Sequence, residues 1–252
     1  MRSCPRKFAF QYVEKVPGDF VPESLIFGGF IHSALELLFR AKLEGLEVTS
    51  GALLAAYHDG WKRQREAAGT RIPVRFNKDQ TEDTLHALAE RMLTSFLASP
   101  LTHPRGEILG IEEEPRIQLD PELPDLLAIV DLVTRTDGAL HVIDCKTSRS
   151  KWTEQKAQES AGQLLLYGTT VQKMSQHLDV AVKLHFAVLT KGKKPVVQLI
   201  PIETDEQRIA GLKDSVSQIW QAIQAGSFYP NPSPQNCSTC PFHSRSPAFG
   251  SK

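Results

Sequence analysis

No run of apolar residues in this chain approaches the roughly 18 needed to cross a bilayer, so no membrane association is expected. The first ten residues, Met1 to Phe10, are basic but lack the apolar core of a secretory signal, which points to a cytoplasmic protein. Cysteine is scarce: 4 in 252 residues is too few for a disulfide scaffold. Two of the four stand as Cys237-Ser-Thr-Cys240, a spacing that favours metal or redox chemistry in a reducing compartment. An excess of one charge is also missing. The 29 basic and 29 acidic side chains cancel, which argues against a uniformly basic nucleic-acid binder. There is no internal repeat, no low-complexity linker and no Gly-x4-Gly-Lys-Ser/Thr loop, so the chain has no helicase motor of its own.

What is present is an ordinary globular composition, 41% hydrophobic and 23% charged, in a length that can bury a sizeable core. The charges are unevenly placed. Leu101 to Lys146 holds 4 basic and 10 acidic residues, whereas Thr147 to Ile200 holds 8 basic and 3 acidic. An acidic stretch followed by a basic one suits a site that holds cations beside a polyanion; chance patterning of solvated faces is the alternative.

Apolar residues near a 3.6 period predict a helix over Phe30 to Leu46, and a second runs from Ser50 to about Arg65. A loop around Pro73 leads to a third, capped by Asn77 or Asp79 and reaching Leu97. The middle then reads as strands. These are Glu107 to Leu119, Leu126 to Thr134 and Leu140 to Lys146, the last two joined by a hairpin at Thr136-Asp-Gly138. A long helix over Thr153 to Met174 follows, then strands at Val180 to Leu189 and Val196 to Pro201. A helix over Asp205 to Ala225 and a proline-rich tail complete the chain. This order predicts a mixed α/β core preceded by helices.

Asp144 and Lys146 lie two apart in the strand Val142-Ile-Asp-Cys-Lys146, so both side chains point to one face. Asp131 lies on the other arm of the hairpin and reaches the same face with a modest register shift. Two carboxylates converging there suit a hard divalent cation such as Mg²⁺, and a lysine beside them can position a water or neutralise a phosphate. A cross-strand salt bridge is the alternative. Trp152 either stacks a base or packs at a helix start.

The ordered set Asp131, Asp144-x-Lys146 and Gln163-x-x-x-Tyr167 resembles the PD-(D/E)XK nuclease superfamily, and most of all its RecB-, AddB- and Cas4-like exonucleases. Gly29-Phe-Ile-His32, Cys4-Pro5 and Cys237-x2-Cys240-Pro-Phe242 extend the resemblance from residue 4 to residue 242. It implies a restriction-endonuclease-like fold: one domain over 1–252, with a helical insertion at 15–105, a catalytic core at 106–201 and a cysteine-bearing tail at 226–252. It implies His32, Asp131, Asp144 and the Cys145 backbone carbonyl as ligands of Mg²⁺ or Mn²⁺, and Lys146 as the catalytic lysine. A further acid falls within Glu112-Glu-Glu114, and Glu114 is the one expected in the site. Gln163, Tyr167, Arg149 and Lys151 would border the DNA. Ala128 stands where relatives often carry glycine.

Relatives also hold a [4Fe–4S] cluster on one N-terminal and three C-terminal cysteines. Here Cys4, Cys237 and Cys240 match, but Ser246 occupies the fourth position. Thiolate is the preferred ligand of such clusters, so the cluster is expected to be labile or lost; zinc on Cys4, Cys237, Cys240 and His243 is another outcome. The function implied is a metal-dependent DNA nuclease acting on single strands or ends in repair, recombination or related processing. It would be an exonuclease rather than an endonuclease, working alone or with a helicase, recombination or CRISPR-adaptation protein. A non-catalytic DNA-binding or assembly module that kept the fold is the alternative, and the presence of Asp131, Asp144 and Lys146 argues against it.

Overall fold

The computed structural model describes residues 3–68, 72–114, 116–127, 129–136, 138–175 and 180–245. After a short helical segment over Pro5–Phe8 and Ala9–Val13 come three long helices: α1 (Glu23–Leu43), α2 (Ser50–Ala68) and α3 (Glu82–Leu97). A five-stranded sheet follows, built from β1 (Glu107–Glu113), β2 (Val130–Thr136), β3 (Ala139–Ser148), β4 (Ala181–Thr190) and β5 (Val197–Ile202) in that spatial order. Every neighbouring pair is antiparallel except β3 and β4, which are parallel and are joined through α4 (Glu154–Ser160) and α5 (Gly162–Met174). A further long helix, α6 (Glu206–Gln224), packs beside α5, and short turns at Pro234–Cys237 and His243–Arg245 follow it. The mixed α/β class is as expected.

The boundaries differ in instructive ways. α1 starts earlier than the predicted Phe30, because Ile26 and Phe27 already belong to its buried face, and it ends at Leu43 before Gly45, whose φ of +73° cannot continue a helix. α3 is capped by Thr81, not by Asn77 or Asp79. Thr81 and Thr84 exchange side-chain-to-backbone hydrogen bonds, closing a capping box. The predicted single helix over Thr153 to Met174 is two, broken at Ala161, although Thr153 does cap the first. The strand expected from Glu107 to Leu119 stops at Glu113, and Arg116–Ile117 instead pair with Leu126–Leu127 in a separate ribbon. Thr136 pairs with Ala139, so β2 and β3 join through residues 137 and 138. Asp137 lies outside the described residues, as do Ala128 and Ser246.

One face of the sheet packs Ile111, Leu132, Ile143, Ala187 and Leu189 against α1, α2 and α3; the other packs Val142, Leu184, Phe186 and Val188 against α4 and α5. α1 is long and apolar enough to cross a membrane by length and composition alone, but Ile31, Leu35 and Leu38 are buried in the first of these layers. Leu38 is fully buried there, and truncation to alanine would cost about 2–5 kcal/mol. The crossing of α1 and α2 is tight: a Cβ on Gly60 would fall 2.5 Å from the Phe30 ring. On the other face, a Cβ on Gly168 would fall 2.8 Å from Leu184, so α5 rides close on β4. The second approach holds α5, which carries Gln163 and Tyr167, against the sheet.

Candidate active site

The β2–β3 ladder is paired as far as Leu132 opposite Ile143. One rung further, the same register sets Asp131 opposite Asp144, so no shift is needed to bring them together. There β2 diverges from β3, and the backbone N–H of Cys145 loses its strand partner. Asp131 replaces it: Cys145 N–H donates to Asp131 Oδ2 at 2.5 Å. Both aspartates are buried.

On the other side of β2, the register with β1 slips between Ile108 and Gly110. This bulge at Leu109 advances β1 by one residue, so Glu112 rather than Ile111 falls opposite Asp131. Glu112 also has a positive φ of 50°. His32 comes down from α1, with Nδ1 3.4 Å from Asp131 Oδ1 and 4.0 Å from Glu112 Oε1. One potential ligand atom from each of His32, Glu112 and Asp131 lies within 4.8 Å of the others.

Glu112, rather than the expected Glu114, is the glutamate that the strand register brings beside His32 and Asp131. Glu114 is exposed beyond the end of β1, because the strand terminates at Glu113. Asp144 stands beside the trio, outside its 4.8 Å radius. Its Oδ2 is buried and is paired with Lys146 Nζ at 2.5 Å.

The electrostatics follow from crowding acids in a half-dry place. Burial, then the charge of Asp131, pushes Glu112 up to about 7. Burial also raises Asp144, with the neighbouring Lys146 opposing and Asp131 reinforcing. For His32 burial works downward, but the hydrogen bond and charge of Asp131 outweigh it and leave the imidazole more basic than usual. Lys146 behaves likewise: burial pulls its pKa down, Asp144 overcomes that, and the amine keeps its proton. The Cys145 thiol is driven well above its ordinary value by burial and the surrounding carboxylates, so it is inert. Two or three hard oxygen donors and one imidazole suit a small divalent cation.

The remaining predicted residues have definite positions. Gln163 Nε2 donates to Tyr167 Oη, and Tyr167 Oη in turn accepts from Ile129 N–H at 3.3 Å. Tyr167 is buried, so this pair braces the chain two residues before Asp131. Arg149 and Lys151 are exposed just past β3. Trp152 is a packing residue: its Nε1–H donates to Ser148 Oγ at 2.9 Å and its ring meets Phe186 edge-on.

Cys4, Cys237, Cys240 and His243 line one cavity where the chain ends meet. The ends are tied by ordinary bonds, with the Asn231 and Asn236 amides donating to the Ser3 carbonyl and Phe10 packing on Phe242. Among the described residues no three of these thiols and imidazole come within 4.8 Å of one another, which does not support a preformed zinc site.

No curated protein matches the chain in sequence. Among solved structures, a protein of Eubacterium rectale provisionally described as an exonuclease is similar, with a TM-score of 0.47 and 14% identity over 90% of each chain. SSO0001 is similar at a TM-score of 0.28 and 14% identity, over 98% of this chain and 96% of that one. The model of the PD-(D/E)XK nuclease superfamily matches residues 1–245, which takes in the sheet, its helices and the row of acids, and this chain belongs to that superfamily.

Proposed function

We propose that this nuclease is a Mg²⁺- or Mn²⁺-dependent deoxyribonuclease, and an exonuclease acting on single strands or DNA ends. The observation that carries the reading is the row Glu112, Asp131, Asp144 at the point where β2 leaves β3, with His32 beside Glu112 and Asp131 and Lys146 paired to the buried Asp144. His32, Glu112, Asp131 and Asp144 would hold the cation, together with the Cys145 backbone carbonyl, and members of the superfamily use divalent metals. A cation bound there supplies charge neutralisation at the phosphoryl oxygens and an activated water.

The chain's own groups do the rest. The Cys145 N–H holds Asp131 in one orientation, and His32 fixes its other oxygen. Protonated Lys146, whose side chain is partly exposed, offers a positive charge to the attacked phosphate. The Gln163–Tyr167 brace keeps the approach to Asp131 rigid. The exposed Arg149 and Lys151 attract the polyanion. With no motor loop in the sequence, a helicase or recombination partner would supply unwinding where duplex is the substrate.

Digestion of end-labelled linear and closed circular DNA, single- and double-stranded, with Mg²⁺, Mn²⁺ or EDTA tests this. Metal-dependent release of nucleotides from linear single strands, with circles spared, is expected. Cleavage that persists in EDTA would overturn the metal assignment, and cutting of circles would overturn the exonuclease mode.

A further inference from the structure

Past the acid row, β3 and β4 run on together as a parallel pair to Ser148 opposite Thr190. Lys191 follows directly, and its N–H donates to the Ser148 carbonyl at 2.7 Å, which fixes its backbone against the end of β3. Its side chain folds under α1, with Nζ 4.8 Å from the centre of the Phe27 ring. The amine is half-buried, and no carboxylate lies within ion-pair distance of it or of the exposed Arg149 among the described residues.

The nearest acid in electrostatic reach is Glu23, which is buried and already accepts from Asn77 Nδ2 at 2.5 Å. Burial lowers the Lys191 pKa, with Glu23 opposing and Arg149 reinforcing, as expected for a cation held out of water without a full counter-charge. The helix above is bare: Gly28 lies over the Thr147 hydroxyl at Cβ distance 3.6 Å, and a Cβ on Gly29 would meet nothing. Phe27 precedes the ligand His32 by five residues, which is about 7.5 Å along a helix axis. A half-buried lysine, an exposed arginine whose charge reaches it and a threonine hydroxyl therefore lie along the ends of β3 and β4 beside α1, beyond Asp144 and Lys146 on β3.

We propose that Lys191, with Arg149 and the Thr147 hydroxyl, forms a phosphodiester-binding subsite that takes a backbone phosphate neighbouring the one cleaved; this rests on the nuclease reading of the acid row. A lysine serving only to offset Glu23 would be a purely structural feature, and the two roles separate experimentally.

The test is fluorescence anisotropy of a labelled single-stranded oligonucleotide in Ca²⁺ over a range of NaCl concentrations, with melting temperatures and Mg²⁺-dependent cleavage measured alongside. Lys191→Gln keeps most of the aliphatic stem over Phe27. It should weaken binding about tenfold at low salt, as expected for one charge-assisted contact, and flatten the log–log salt slope by about 0.7. Lys191→Arg should retain both. Neutral methylphosphonate replacement of single phosphates should reproduce the loss in the wild-type protein at one position, and Lys191→Gln should be insensitive at that position alone.

Unchanged affinity and salt slope in Lys191→Gln would overturn the subsite, and so would a lower melting temperature with the slope intact. Should Lys191→Gln fail to fold, the methylphosphonate scan on wild-type protein decides alone: equal losses at every position refute the subsite. A folded wild-type protein that neither binds nor cuts DNA would remove the nuclease reading on DNA and the subsite together. A failed scan with an active enzyme removes only the subsite.

Discussion

Replacing Glu112 by glutamine should make the metal-free protein more stable and the metal-bound protein less so. Glu112 lies across from Asp131 and near His32, and burial with the Asp131 charge lifts it from an ordinary 4.5 to about 7. A carboxyl whose folded-state pKa lies above its unfolded value gives stability that is complete below pH 4.5. That stability is lost as pH rises through 7, because the folded protein must give up a proton it holds more tightly. A difference of about 2.5 units is worth about 3 kcal/mol, and with the side chain 24% exposed about 2 kcal/mol is the reasonable magnitude.

For a chain of this size that corresponds to a shift of about 4–8 °C in Tm. Calorimetry in EDTA should therefore find Glu112→Gln above wild type by that margin near pH 8 and nearly level with it near pH 5. Saturating Mg²⁺ reverses the order. Binding at a hundredfold excess over Kd adds about 2.7 kcal/mol to wild type, and the variant lacks one of the oxygens that earn it. If the two proteins melted together at high pH in EDTA, the acid row would not be repulsive and the assignment of Glu112 would fail.

Asp144→Ala or Lys146→Ala should leave the fold intact and lower DNA cleavage by about 10²–10³-fold or more, read from initial rates in Mg²⁺; activity within a few-fold of wild type would remove either residue from catalysis. His185, held neutral by burial and then by His141 and Lys183, has a folded pKa of about 4, below its ordinary 6.5. Its contribution to stability is therefore present above pH 6.5 and lost as pH falls towards 4, about 3 kcal/mol at most. Urea titrations of wild type and His185→Phe should show a shallower acid loss in the variant. Ser246→Cys, which restores the fourth thiol expected of an iron–sulfur segment, should raise iron content and Tm. Wild-type protein carrying four irons per chain with an air-stable spectrum would contradict the expectation of a labile or lost cluster.

Much of this protein is legible in one dimension because the rules involved are local. Residues two apart on a strand share a face whatever surrounds them, so Asp144 and Lys146 had to point together. The alternation from helices to strands sufficed for the α/β class, and Thr153 and Asp205 cap helices where their types predict it, the Asp205 carboxylate accepting from two backbone N–H groups of the first turn. The ordered set Asp131, Asp144-x-Lys146 and Gln163-x-x-x-Tyr167, extended by His32 and the cysteine segments, carried the family.

Other features depend on which strand meets which, and at what register. Three consecutive glutamates are equivalent in sequence; only the bulge at Leu109 advances β1 so that Glu112, and not Ile111, lies opposite Asp131, while Glu114 is left beyond the strand. Asp131 satisfies the Cys145 N–H because β2 parts from β3 one rung past Leu132, an event no local propensity encodes. Trp152 is committed to Ser148 and Phe186 by the layer beneath it, and Lys191, one of several lysines in a basic turn, is set apart from the others only once the end of β3 and the Phe27 ring close around it. Face and periodicity arise from backbone geometry within a few residues. Register, burial and the fields that shift Glu112 and His185 arise between segments far apart in sequence, and they exist only once the chain has packed.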